Sequence, residues 1–325
     1  MSIELLRRAF WSFLSTSAVA SQVIRGKFSV YLLNYKLFPS IFNKFPKNIP
    51  KNPTKRTPNG QFPAIFSNFA VMNSFFQNGI KGIPPVTRNI IIICLLIWLV
   101  EIIFPSFGRT IVRHLGLHYI DSESFNPAQI ITYMFVHDNR NPMHILFNMF
   151  SLWMFGPLLE RIWGSKRFLL FYAICGVGAA LVQEGVWALT WRHEYIQAIA
   201  AANGLTYDSM EQVVNSAVAN HDLRFVEAMA QMKDAMVTIG ASGAIFGLLL
   251  GFAFVFPNMP LYLFFIPIPI KAKYMVIGYA VLEFFLGVGA SGSTVAHFAH
   301  LGGLLFGLIP LLIWKKNGTL HGGRF

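Results

Sequence analysis

Two short runs carry the residues best able to do chemistry: Gly240-Ala241-Ser242-Gly243 and, further along, Ala299-His300-Leu301-Gly302-Gly303. A serine hydroxyl is a weak nucleophile until a base takes its proton, and an imidazole is the side chain that most often does so. Both runs fall inside segments that read as membrane-spanning, where an ionisable side chain is rare and usually functional. The chemistry implied is hydrolysis within a bilayer by a Ser242–His300 dyad.

Such a dyad needs two helices in close contact. Gly243, Gly247 and Gly251 recur every four residues, which lines three bare backbone positions along one helical face, and Ala299, Gly303 and Gly307 repeat that spacing in the later segment. Ordinary helix packing also uses small residues at this spacing, so the glycines alone do not define a catalytic site; a histidine on the partner repeat is what sets this pair apart. His144 and Asn148, four apart on another apolar segment, point the same way. They read as a donor pair for an oxyanion formed during acyl transfer, or as a helix–helix hydrogen-bond network. No carboxylate is assigned to His300 by spacing: Glu283 lies in another span and Asp138 in a loop.

The elements that must position these groups are apolar helices. Only 12% of the 325 residues are charged, 54% are hydrophobic, and the mean hydropathy is +0.52; soluble domains carry about 25% charged residues. Six stretches are long enough, or nearly so, for the roughly 20 residues of a spanning helix: Asn89–Phe104, Met143–Leu159, Phe168–Trp191, Val237–Phe256, Tyr274–Leu286, which is short and contains Glu283, and Thr294–Trp314. The fold class expected is therefore all-α, a polytopic six-helix bundle with a long extracytoplasmic helical loop before the fourth helix.

Charge bias sets the orientation. Arg161, Lys166, Arg167, Lys271, Lys273, Lys315, Lys316 and Arg324 all fall in connections on one side of a six-span chain, whereas Arg192 to Asp234, on the other side, holds three basic residues against six acidic ones. Lys and Arg stay on the cytoplasmic side, so both termini are predicted to be cytoplasmic, in a bacterial inner membrane or, alternatively, an organelle inner membrane. The net charge of +12 comes from basic residues in segments flanking the apolar runs, where orientation in a membrane explains them better than nucleic acid does, and nucleic acid is not an expected partner. Cys94 and Cys175 sit inside apolar runs and read as small hydrophobes.

Residues 1–82 are predicted to be a basic extension without a packed domain. Residues 1–71 hold ten Lys or Arg against Glu4 alone, with Pro46, Pro50, Pro53 and Pro58 spaced through them; they read as a lipid-touching tail, an organelle-targeting segment, or sequence upstream of a start at Met72. A membrane domain is expected over 83–316, including the loop 192–236 with helix-like runs at Glu211–Ala219 and Asp222–Met232, followed by a cytoplasmic tail over 317–325.

Taken together, His144-Ile145-Leu146-Phe147-Asn148, Glu160-Arg161 with Gly164, Gly240-Ala241-Ser242-Gly243, and Ala299-His300 with Gly303 and Gly307 resemble the rhomboid intramembrane serine proteases, over roughly residues 83–314. The resemblance implies Ser242 as nucleophile, His300 as base, His144 and Asn148 as oxyanion donors, and Phe246 as an aromatic packed on the imidazole. Gly240, Gly243, Gly303 and Gly307 would support them. It implies a six-helix bundle with a short central serine-bearing helix, single-span membrane proteins as substrates, and no metal or cofactor. It says nothing of oligomeric state.

The chain departs from the family in reading Pro127-Ala128-Gln129 where a Trp-Arg pair is frequent. A second Gly-Ala-Ser-Gly run at 289–292 makes Ser291 a rival nucleophile. His297, with His144 and His300, raises a zinc alternative, against which stands the lack of any His-Glu-x-x-His run. A catalytically silent chaperone or transport factor on the same scaffold is a further alternative, distinguished by substitution of Ser242.

Overall fold

A computed structural model describes residues 82–262, 269–289 and 294–321; residues 1–81 of the expected extension, Ser291 and Arg324, and the expectations attached to them, lie outside these. Helices dominate: α1 Pro85–Ile103, α2 Pro105–Leu115, α3 Gln129–Thr132, α4 Pro142–Trp163, α5 Ser165–Ala202, α6 Tyr207–Ala219, α7 Leu223–Ala235, α8 Ser242–Val255, α9 Ala272–Gly289 and α10 Thr294–Lys316. The only strands among the described residues form two small antiparallel pairs, Leu117–His118 with Val237–Thr238 and Pro260–Tyr262 with Pro269–Lys271. The protein is an all-α polytopic membrane bundle. Four described helices, α1, α4, α5 and the stretch His297–Lys316 of α10, are long and apolar enough to cross a membrane.

The six expected apolar segments correspond to α1, α4, α5, α8, α9 and α10, and two of them differ most in extent. The fourth begins five residues later than its apolar run, because Val237–Thr238 is a strand and Gly240 turns the chain with φ +120° before the helix starts at Ser242. The third runs on to Ala202. Arg192-His193-Glu194 ends the apolar run but not the helix, since none of these residues breaks one, and the stop comes at Asn203 and Gly204, the latter with φ +66°.

The short helix α8, 14 residues long, is at the centre, contacted by α4, α5, α9 and α10. Outward-facing apolar side chains such as Leu96, Leu99, Ile277 and Phe285 are exposed on α1 and α9, as suits surfaces whose solvent is hydrocarbon. One end of the bundle is stitched by buried polar groups. Glu160, at the end of α4, accepts from the Val86 and Thr87 amides at 3.0 and 2.8 Å, from Thr87 Oγ1 at 2.7 Å and from Ser165 Oγ at 2.7 Å. A carboxylate thereby satisfies the unpaired first-turn amides of α1 and meets the positive end of its dipole. Trp163 Nε1 and Arg167 donate to the Leu320 and Thr319 carbonyls, and Arg167 lies 4.1 Å over the Trp314 ring. The alternation of helix direction puts Arg161, Lys166, Lys273 and Lys315 at this same end.

The opposite end holds the starts of α4, α8 and α10 and the end of α9. There α6 and α7 pack with the end of α5 around Tyr195, Ile196, Ala200, Met210 and Val214, and Lys233 pairs with Asp121.

Candidate functional site

Gly303 is what allows α8 and α10 to meet. A Cβ there would overlap the Gly243 carbonyl oxygen and lie 2.7 Å from its carbon; one on Gly243 would lie 2.5 Å from the Ala179 Cβ; one on Gly307 would lie 3.0 Å from Cys175 Sγ. Backbones at this separation put the two functional side chains in contact: Ser242 Oγ and His300 Nε2 are 2.8 Å apart. The Phe246 ring, one turn after Ser242, stacks on the His300 imidazole with centroids 4.2 Å apart and planes 7° from parallel. With one face held by Phe246 and one nitrogen held by Ser242, the imidazole has little rotational freedom.

Ser242 is the first residue of α8, so its own amide and that of Gly243 lie where no helical carbonyl precedes them. The helix start is fixed from behind: the Gly240 amide donates to the Tyr133 carbonyl at 3.0 Å, and the Ala241 amide reaches His137 Nε2 at 3.5 Å. His137 was not singled out by the sequence. It lies in a loop with no periodic neighbours, yet it is fully buried, and its ring stands 5.2 Å from that of His144.

His144 and Asn148 both reach this end of the bundle. His144 Nδ1 accepts from the Asp138 amide at 3.3 Å, which assigns the proton of the neutral ring to Nε2. That N–H faces Gly240, whose missing Cβ would lie only 2.7 Å from Nε2. Asn148 Nδ2 donates back to the His144 carbonyl at 2.8 Å; an amide nitrogen carries two hydrogens, so one is left for another acceptor.

The structure corrects the sequence reading on the carboxylate. Glu283 Oε2 lies 3.1 Å from His300 Nδ1 and 2.6 Å from His297 Nδ1. The contact with His297 is an aligned hydrogen bond; that with His300 has ion-pair distance, but the Nδ1–H direction misses the oxygen. Spacing did not reveal this because α9 and α10 are separate helices whose relative register no i, i+4 pattern encodes. The three-histidine set with His144 is not the cluster formed. Among the described residues, the group with metal-ligand spacing is Glu283, His297 and His300.

Serine, imidazole, stacked aromatic and glycine contact thus meet in one bundle, in the order in which the chain presents them. A family model for the Rhomboid domain matches residues 125–191 and 198–316, more than half of the chain. The chain belongs to the rhomboid family. No curated protein matches it closely enough to count as a relative. Where rhomboid proteins often carry a Trp-Arg pair in the first loop, this one has buried Gln129. Its Oε1 accepts from the His118 and Asn126 amides, and its Nε2 donates to the Ser124 carbonyl at 2.9 Å and to that of Arg113 at 3.2 Å. A single amide therefore ties this loop to itself; nothing in the sequence signals this, since a glutamine is usually exposed.

Proposed function

We propose that this rhomboid protein is an intramembrane serine endopeptidase that cuts single-span membrane proteins in or near their transmembrane segment. The observation that carries the reading is the 2.8 Å contact between Ser242 Oγ and His300 Nε2. His300 Nε2 takes the Ser242 proton as Oγ bonds to the scissile carbonyl carbon. The developing oxyanion accepts from His144 Nε2–H, from Asn148 and from the amides at the start of α8, donors already fixed before reaction and so costing little reorganisation. His300 then gives its proton to the leaving amine, and water resolves the acyl-enzyme by the same steps. Gly240, Gly243, Gly303 and Gly307 set the separations, and Phe246 holds the imidazole. Glu283 favours the tautomer with its proton on Nδ1 and offsets the imidazolium charge.

The helix starts that carry these groups lie opposite the Arg161, Lys166 and Lys315 end. With Lys and Arg on the cytoplasmic side, both termini are cytoplasmic, and the site opens to the other face, where water enters and the helical segment 192–236 forms a cap. A bacterial inner membrane fits this arrangement, as does an organelle inner membrane. The test is cleavage of a single-span substrate in liposomes by the unaltered chain, Ser242→Ala and His300→Ala. Both variants should lose activity by about 10³-fold or more; activity that survives in Ser242→Ala contradicts the proposal.

A further inference from the structure

The ends of α9 and α10 hold more ligand chemistry than proton transfer requires. Glu283 Oε2, His297 Nδ1 and His300 Nδ1 lie within 4.8 Å of one another, with side chains between 12% and 20% exposed. His297 and His300, three apart on α10, share a face. Two imidazoles and one carboxylate form the donor set of tetrahedral zinc sites that keep a fourth position for water. Bond lengths of about 2.0–2.2 Å to Zn2+ correspond to donor separations of roughly 3.3–3.6 Å. The observed 2.6 and 3.1 Å contacts are near that range, so small side-chain shifts complete the site. His300 Nδ1 is a buried atom whose contact with Glu283 Oε2, at 3.1 Å, is not an aligned hydrogen bond, so coordination there replaces only that contact.

We propose that Glu283, His297 and His300 bind a borderline divalent transition metal, Zn2+ or an ion like it, and that occupancy switches Ser242 off. The switching rests on the reading of His300 as base. In the active tautomer the Nδ1 carries the proton and the Nε2 lone pair faces Ser242. Coordination uses the Nδ1 lone pair of each imidazole, so each ring proton moves to Nε2 and the His297–Glu283 hydrogen bond gives way to two metal bonds; no electron is transferred, and both rings stay neutral. A ring protonated at Nε2 donates to Ser242 Oγ and takes no proton from it. The metal is here an inhibitor that locks a tautomer, the opposite of a catalytic zinc. The Glu283 carboxylate offsets part of its charge.

Two measurements on the full chain in detergent test the site, both with ZnCl2 as probe. In the first, Zn2+ is titrated against cleavage of a single-span substrate. Saturating Zn2+ should lower the rate about tenfold or more, since a positioned base contributes about 10²–10⁴-fold. Mg2+ should leave it unchanged, because a hard ion prefers oxygen ligands. His297→Gln, each rate being taken relative to the same chain without metal, should need at least about tenfold more Zn2+ for the same fractional inhibition, as even indirect ligand partners are worth that much in affinity. In the second, Zn2+ retained after desalting should fall by one ion per chain from Ser242→Ala to Ser242→Ala/His297→Gln. Equal zinc sensitivity of His297→Gln and the unaltered chain, or equal zinc content of the two Ser242→Ala chains, overturns the site. The zinc-content measurement decides even if no chain cleaves substrate, in which case the protease reading fails separately.

Discussion

Substituting Gly303 by Ala probes the helix contact on which the site depends. The added methyl would overlap the Gly243 carbonyl oxygen and stand 2.7 Å from its carbon, whereas unstrained carbon contacts lie at about 3.5–4.0 Å, so α10 must retreat from α8 by at least about 1 Å. The 2.8 Å Ser242–His300 contact then opens to nearly 4 Å, beyond hydrogen-bond range. A misplacement of that size costs about 10²-fold in rate, and the overpacking itself destabilises by about 1–3 kcal/mol. The control is Gly278→Ala on α9, where a Cβ meets nothing within 4 Å; there the same substitution should be neutral or stabilise by up to about 1 kcal/mol. Initial rates on a single-span substrate in liposomes, paired with thermal unfolding in detergent, separate the rate loss from the stability loss. A Gly303→Ala chain that cleaves at the unaltered rate would refute the claim that this close approach aligns the pair.

Three further outcomes follow from the same geometry. Glu283→Gln should lower kcat roughly tenfold to a hundredfold with KM little changed. That is less than the about 10⁴-fold loss on neutralising a fully engaged triad carboxylate, because Glu283 divides its interaction between His297 and His300. His144→Ala should cost about 10²–10³-fold in kcat, the size of one oxyanion donor, with unfolding temperature held to within a few degrees; a rate unchanged by the substitution removes His144 from the oxyanion site. Glu160→Gln, far from the site, should destabilise by about 1–3 kcal/mol by weakening charge-assisted bonds to the α1 amides and leave kcat of the folded chain unaltered.

Much of the architecture was legible in the apolar runs, because hydrocarbon forces every buried backbone group into a helix. Their ends were less so. At Val237 the apolar run continues unbroken into α8, and only the β-branched Val237, Thr238 and Ile239 followed by a glycine hint that the chain is extended there. The pairing of Ser242 with His300 was readable because glycine spacing encodes which faces of two helices can touch, whereas Phe246 was signalled only by the family resemblance. Glu283 and His137 were not, since one comes from a helix whose register against α10 is set by tertiary packing and the other from an irregular loop.

The central claim is that Ser242 is an activated nucleophile, and mass mapping of a fluorophosphonate adduct on the full chain tests it most directly. The account expects one adduct per chain, on the peptide containing Ser242, abolished in His300→Ala. An adduct on Ser291 instead, or labelling of Ser242 that is indifferent to His300, would contradict it.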